Sequence, residues 1–486
     1  MSNVRPQFQS RTGARRRAFA CTSLAVILLA ACQNSAAPAN TALLATAVAR
    51  PNLEQRPVAG GPLLLREQVK LRKVADVGSG NIKLARSPLD GDLYYLTTGA
   101  GLFRVAIDGS TKPTLAASAA EIAAGANAAG MAFGPDGALY VVSNKPIKPQ
   151  TQAQVRKGVP TAEGTFAWHT LLTTEPYPAS NTQFDHLWNG IVISPDNTWM
   201  YVNAGSRTDH GEVQHSNGDF PNTREIALTT KIFRVPTDAA ELVLPNDEAK
   251  LDAGGYIFAR GTRNAYDLAF APNGDLFAVD NGPDADYADE LNWIRQGQHY
   301  GFPWKFGDQD NPQQFINYDS SADKRLNQDF QAVKNGSYAN DPSFPTAPGT
   351  FTNPVLNLGP DAAIARADDG SEFDAAATGV PLATFTPHRS PLGLVFGGEG
   401  LPADLRGDGE TQSAFVLSWG AAGGTLSDKG QDLVHMALRK QGDNYESVTT
   451  QIASDLKYPI DAVLENNKLY VLEYGEGGAL WELTFD

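Results

Sequence analysis

One theme recurs six times along this chain: an apolar stretch, a turn of the Pro-Asp-Gly kind, and a second apolar stretch. The clearest copy is Gly130 to Val142, turning at Pro135-Asp136-Gly137. Asn189 to Val202 turns at Pro195-Asp196-Asn197, and Tyr266 to Val279 turns at Pro272-Asn273-Gly274. Weaker copies cover Ile82 to Leu96, Leu392 to Leu417 and Ile460 to Leu472. Asp-Gly and Asn-Gly between alternating apolar runs are strong hairpin signals, because these residues tolerate positive φ. Six related hairpins separated by long irregular stretches predict an all-β fold, a six-bladed β-propeller. A β-sandwich also contains many hairpins but does not repeat one sequence theme. The density of Gly, Pro and β-branched residues excludes a helix bundle.

In a propeller the inner strands line a central channel, and loops at one face build the binding site. Three long stretches between the hairpins, Lys145 to Asp185, Thr208 to Glu225 and Gly297 to Phe351, read as walls of such a site.

The residues that carry chemistry sit just before or after the predicted strands. His186 precedes an inner strand, and its charge changes near neutral pH, which suits a general base. Its neighbour Asp185 is placed to orient it or to raise its pKa; the plain alternative is a loop-packing histidine. Arg263-Asn264 opens a later inner strand. A guanidinium there pairs with a carboxylate or steadies an oxyanion, whereas the plain alternative is a surface ion pair. Gly282-Pro283 follows the partner strand, and carbonyls at such turns ligate Ca²⁺, although most Gly-Pro pairs are only turns. Glu290 and Tyr300 flank another loop suited to a second ion, or are a surface carboxylate and a packed aromatic.

His186, Arg263-Asn264, Asn281-Gly282-Pro283, Asp289-Glu290-Leu291-Asn292 and Tyr300-Gly301-Phe302-Pro303 stand in an order and spacing that resemble one family. The chain is similar to the glucose/sorbosone dehydrogenases, soluble-type quinoproteins that use pyrroloquinoline quinone (PQQ). His388-Arg389-Ser390-Pro391 and Tyr458-Pro459-Ile460-Asp461 resemble that family's last two blades, so the similarity covers roughly residues 70 to 485. The resemblance implies a six-bladed propeller holding the quinone over the channel with calcium. It casts His186 as the base that takes a sugar hydroxyl proton. Arg263 becomes the cation beside the quinone oxygen, and Asn264 a cofactor ligand. The carbonyls of Gly282 and Pro283 bind the cofactor's calcium, and Glu290 and Tyr300 a structural calcium. Where the family usually places cofactor-gripping arginines, this chain has Lys457, and near Trp419-Gly420 no basic residue stands closer than Lys429. Lysine is a point charge without the guanidinium's fork.

The N-terminus carries an address. Arg15-Arg16-Arg17 precedes the apolar run Leu24 to Leu29, which ends in Leu29-Ala30-Ala31-Cys32. A basic region, a short apolar region and a small-residue cleavage site make an export signal too short to span a membrane. The last four residues resemble a bacterial lipoprotein signal in which Cys32 becomes the lipidated first residue. Arg16-Arg17-Ala18-Phe19 also resembles a twin-arginine export motif. The expected organisation is therefore a signal over 1–31, a tether over 32–65 and the propeller over 66–486. The mature protein would be anchored by lipid on the periplasmic side of a bacterial membrane.

Without residues 1–31 the net charge moves from −15 to −20, because five arginines and no acids are lost. That balance argues against nucleic acid as a partner. With Cys21 inside the signal and Cys32 at the lipidation position, no disulfide is expected. The leading expectation is a calcium-dependent quinoprotein that oxidises aldose sugars to lactones. It has no haem-attachment motif and so passes electrons to a separate periplasmic acceptor. Two other readings stand beside it. One is a carbohydrate- or protein-binding propeller lipoprotein that has lost the cofactor. The other is a calcium-dependent propeller lactone hydrolase, which needs acidic and Asn ligands converging on a channel metal.

Overall fold

The computed structural model describes residues 55–57, 60–420 and 424–486, all within the compact unit 44–486. Each of the six sequence copies forms an antiparallel hairpin. In chain order these hairpins begin with the inner strands Asn81–Arg86, Asn127–Phe133, Trp188–Ile193, Ala265–Phe270, Pro391–Gly397 and Pro459–Glu465. Each inner strand is the edge of a sheet that grows outward by further, mainly antiparallel, strands. The chain is thus the expected all-β propeller. Five of these sheets have four or more strands, and the fourth in chain order, from Ala265–Phe270 to Glu290–Ile294, has three.

The inner strands stand side by side in chain order, and Pro459–Glu465 closes back on Asn81–Arg86. Closure is made by hydrogen bonds between the two ends of the fold: Val69–Asp76, from its start, pairs with Ala479–Phe485 as the outermost strand of the last sheet. This pairing ties the first and last strands of the ring into one sheet.

The hydrophobic core is not central but divided among the interfaces between neighbouring sheets. Leu96 and Leu102 pack on Leu139 and Val141 between the first and second sheets. Trp188 stacks on Phe233 with ring centroids 4.8 Å apart, in a cluster that also holds Val142 and Val155 of the second sheet. Phe277 and Val279 meet Leu394, Val416 and Val434 between the fourth and fifth sheets. Alternation makes this possible, since each strand points every second residue at the adjacent sheet. The inner strands carry polar groups into the axis instead. Lys83 Nζ bonds Asp267 Oδ1 at 2.8 Å, tying the first sheet to the fourth. Asp461 accepts a hydrogen bond from Leu84 N at 2.7 Å.

Two sequence expectations change. Lys145 to Asp185 is not a loop wall: about half of it is Gln150–Pro160 and Phe166–Thr174, outer strands of the second sheet. The tether ends earlier than 65. Leu63–Leu64 already pairs with Ala453 and Ser454 on the fifth sheet, so the chain is docked there by main-chain hydrogen bonds. Residues 1–31, and Cys32 with most of the tether, lie outside the described residues. No helix among the described residues is long and apolar enough to cross a membrane.

Candidate functional site

The segments that enter the third, fourth and fifth sheets meet at one mouth of the channel. His186 N donates to Ser206 O, and Ser206 N donates to Arg263 O. Asn189 Nδ2 donates to Asn264 Oδ1 at 2.8 Å, and Asn264 Nδ2 donates to Asn281 Oδ1 at 3.2 Å. Asn281 Nδ2 then reaches Pro391 O at 2.9 Å. A run of three asparagine side chains therefore stitches three blade entrances together.

His186 lies against Gly205, where a Cβ would come within 2.5 Å of the His186 Cβ, so only glycine permits this approach. Leu187, next along, holds φ at +59°, a costly conformation for a non-glycine residue. The imidazole Nδ1 sits 3.0 Å from Ser206 Oγ and 3.3 Å from Ser206 O. Ser206 Oγ gives its own hydrogen to Thr208 O at 2.7 Å. The hydroxyl can then only accept from the imidazole, so Nδ1 carries the hydrogen and Nε2 keeps its lone pair. Burial, and then the Arg263 charge, pull the His186 pKa down to about 3, so the ring is neutral at physiological pH. Asp185 does not play the orienting part expected of it. Its carboxylate accepts from Ser180 N at 2.8 Å on the far side of its own turn, and the hydroxyl of Ser206 orients the ring instead.

Arg263 is no surface ion pair. It is 6 % exposed, and its guanidinium is anchored at three points. Nε donates to Asp209 O at 2.7 Å, Nη2 to Asp209 Oδ1 at 2.7 Å and Nη1 to Asn281 O at 3.1 Å. The Asp280 carboxylate accepts from the main-chain N–H groups of both Arg263 and Asn264, which fixes where this pair sits on its strand.

The turn after the partner strand is also held. Gly282 N donates to Asp289 Oδ1 at 2.7 Å, and Asp289 Oδ2 accepts from Ser390 N at 2.8 Å. Pro283 O accepts from Ala285 N at 2.8 Å, which leaves that carbonyl one lone pair. Below the turn, Arg263, Asp280, Gly282, Glu290, Tyr300 and Lys305 line a small, partly open cavity of about 10 Å³, room for one water-sized particle. Glu290 accepts from Gly307 N and Asn292 Nδ2. Burial, with the Asp280 charge added to it, pushes the Glu290 carboxyl up to about 8. The Tyr300 hydroxyl donates to Trp293 O and accepts from Arg295 N, so its phenol is committed and only its main chain is open to an ion. Asn292 Oδ1, fully buried, has no hydrogen-bond partner. Among the described residues no group of three or more His, Cys, Asp or Glu side chains is placed to hold a metal, so an ion here needs carbonyl ligands as well.

The far side of the mouth differs. Lys457 is exposed and, among the described residues, pairs with no carboxylate. Arg389, 1 % exposed, is held by Asp428 and Asp432, and the exposed Lys429 ammonium donates to Gly424 O. Trp419 packs between Tyr458 and Tyr474, with ring centroids at 5.0 and 4.6 Å. His186, Arg263, Asn264 and Gly282-Pro283 are thus brought together, with Glu290 and Tyr300 just beneath, while Lys457 stands on an aromatic wall formed by the last two sheets. Sequence reasoning missed Ser206, Asp209 and Asp280, whose partners lie 16 to 54 residues away and share no local motif with them.

The glucose/sorbosone dehydrogenase family model matches residues 128–343, the stretch that holds His186, Arg263 and the Glu290–Tyr300 cavity. Quinoprotein glucose dehydrogenase B of Acinetobacter calcoaceticus is 30% identical over 157 residues, which is 29% of this chain and 31% of that relative. The chain therefore aligns with under a third of that curated relative's length. The soluble aldose sugar dehydrogenase of Escherichia coli, in its apo form, superposes with TM-score 0.55 at 14% identity, covering 86% of this chain and 100% of that one. The holo form of the pyranose dehydrogenase PQQ domain of Coprinopsis cinerea gives TM-score 0.55 at 14% identity, over 90% and 98% of the two chains. These two structures share the fold. Over residues 128–343 the chain is thus similar to the glucose/sorbosone dehydrogenases.

Proposed function

We propose that this protein is a PQQ-dependent dehydrogenase that oxidises aldose sugars at the anomeric carbon to lactones, with calcium. The observation that carries this reading is the His186 imidazole, held neutral with its hydrogen on Nδ1, beside Arg263 and Asn264. A group with that tautomer takes a proton through Nε2 without first losing one.

The residues fit the quinone at its reacting edge. Arg263 retains one N–H on each Nη beyond its three anchors, and two such donors suit an oxygen that gains negative charge. The carbonyls of Gly282 and Pro283 would hold the calcium of the cofactor, and Asn264 a polar group of the ring. The cavity between Asp280, Glu290 and the Tyr300 main chain suits a second hard cation: two carboxylates share it, burial penalises their charge, and Asn292 Oδ1 is unpartnered beside Glu290. When bound, PQQ supplies the acceptor for the hydride that leaves the sugar. The chain's own part is to orient the sugar hydroxyl toward His186 Nε2, to accept its proton there, and to steady charge with Arg263.

The ring is best counted as six blades, with the three-stranded sheet as one of them. The signal over 1–31 and lipidation at Cys32 would place the propeller on the periplasmic side of a bacterial membrane, with electrons passing to a periplasmic acceptor.

One observation favours a second reading, a binding propeller that has lost the cofactor. On the wall of the last two sheets, among the described residues, the guanidinium of Arg389 is committed to Asp428 and Asp432, which leaves the lysines Lys457 and Lys429 and no free arginine fork. Addition of PQQ, Ca²⁺ and an aldose to the purified protein separates the two readings. Dye reduction supports the dehydrogenase, and a protein that binds no quinone supports the scaffold.

A further inference from the structure

We infer that Asp209 is the positioning residue that sets the direction in which Arg263 presents its guanidinium to the channel mouth. This deepens the reading of Arg263 as a catalytic group and rests on it for its functional meaning. The geometry itself stands apart from any cofactor.

Two of the three anchors of the guanidinium come from this one residue. Its carbonyl takes Nε and its carboxylate takes Nη2, each at 2.7 Å, so the plane of the fork is referred to both the main chain and the side chain of Asp209. A single acceptor would let the guanidinium swing about one bond; two acceptors on one rigid residue do not. The third anchor, Asn281 O, lies at 3.1 Å and belongs to the turn that Asp209 also grips, since Asp284 N donates to Asp209 Oδ1 at 3.1 Å.

Asp209 is itself fixed from behind. It is fully buried, and its second oxygen accepts from His210 Nδ1 at 2.7 Å and from the Tyr338 hydroxyl at 3.3 Å. The His210 ring stacks on Tyr338 at 3.7 Å, and its Nε2 faces Ser337 O at 3.2 Å. Both ring nitrogens of His210 meet acceptors, the hydrogen-bonding pattern of an imidazolium. The Asp209 carboxylate therefore lies between two cationic groups, with Arg263 toward the mouth and His210 behind. Burial alone would push this carboxyl up, but the His210 hydrogen bond and the Arg263 charge outweigh it and hold it well below the usual carboxylate range. Through Ser337 and Tyr338, the long 297–351 excursion thus bears on the direction of one guanidinium at the mouth.

Replacing the Asp209 side chain removes the Nη2 anchor and leaves only the carbonyls of Asp209 and Asn281, so the guanidinium should become more accessible. The first readout is the rate at which phenylglyoxal modifies Arg263 in quinone-free protein, followed by peptide mass spectrometry. Arg389 in the same sample is the reference, being also buried but paired with Asp428 and Asp432. In Asp209→Ala, Arg263 is expected to react at least about tenfold faster while Arg389 is unchanged. Asp209→Asn, which keeps one oxygen acceptor and the volume, should fall between and serves if the alanine variant does not fold. The second readout is a double-mutant cycle on kcat/KM in protein reconstituted with PQQ and Ca²⁺. Asp209→Asn should cost about 10-fold to 10²-fold in the wild-type background and less than about twofold beside Arg263→Ala, because it acts only through that arginine. An unchanged Arg263 modification rate, equal acceleration at Arg389, or fully additive costs in the cycle would each overturn the assignment. If wild-type protein binds no quinone, the dehydrogenase reading fails, and the phenylglyoxal comparison still decides the role of Asp209.

Discussion

Ser206 determines which nitrogen of His186 is basic. Its hydroxyl hydrogen is committed to Thr208 O at 2.7 Å, so at 3.0 Å from His186 Nδ1 the same oxygen can only accept. The ring is left with its lone pair on Nε2, which is the requirement for a general base at the mouth of the channel. Ser206→Ala removes one of two acceptors for Nδ1–H and leaves Ser206 O at 3.3 Å as the weaker one. The expected loss in kcat is about tenfold, with little change in KM, because the substituted group touches neither sugar nor quinone. A loss confined to KM would show that Ser206 has another job.

The acid limb of the pH profile provides a second test. Burial and the Arg263 charge place the His186 pKa near 3, below its unfolded value of 6.5. The base is then already unprotonated across the neutral range, so kcat/KM should stay flat from pH 8 down to about pH 5. The same shift has a stability consequence of fixed sign. The unfolded state takes up a proton below pH 6.5 that the native state refuses, so this group lowers stability as pH falls through that value toward 3. Acidic loss of the thermal midpoint should be smaller in His186→Gln. A sigmoidal loss of activity centred near pH 6.5 would contradict the assigned environment.

Calcium should be a stability ligand as well as a cofactor partner. A cation in the cavity between Asp280 and Glu290 binds only the folded protein, so chelation should lower the thermal midpoint and added Ca²⁺ should restore it. Glu290→Gln removes a carboxyl that burial keeps largely protonated until a cation binds, so it should abolish most of the calcium-dependent rise while leaving the chelated midpoint near that of wild type. A midpoint indifferent to chelator would remove the ion from this account.

Membrane attachment is expected to depend on one atom. If Cys32 carries the lipid, Cys32→Ser should move the protein from the membrane fraction to the soluble one. A substituted protein that still sediments with membranes would require another anchor.

How much of this was legible in the sequence follows from which interactions are local. The six hairpins were readable because Pro135-Asp136-Gly137 and its relatives encode their turns within a few residues. The outer strands of the second sheet were not. Along Gln150–Pro160 the inward positions are Thr151, Ala153 and Val155, alternating with Gln152, Gln154 and Arg156, so a half-buried strand looked like a polar loop. At the site, His186, Arg263, Asn264 and the Gly282-Pro283 turn sit beside strand ends and form a recognisable order. Ser206 and Asp209 act on residues 20 and 54 positions away, and nothing near either one signals its partner. The misplaced role of Asp185 has the same origin: adjacency in sequence suggested a pair, but its carboxylate turns back to cap Ser180.

The most direct test compares wild type and His186→Ala in protein reconstituted with PQQ, Ca²⁺ and an aldose, measuring both quinone binding and dye reduction. Quinone affinity should be nearly unchanged, because the imidazole serves the sugar hydroxyl. Turnover should fall about 10²- to 10⁴-fold, the usual contribution of a positioned general base. Equal turnover in the two proteins at saturating quinone would contradict the central claim.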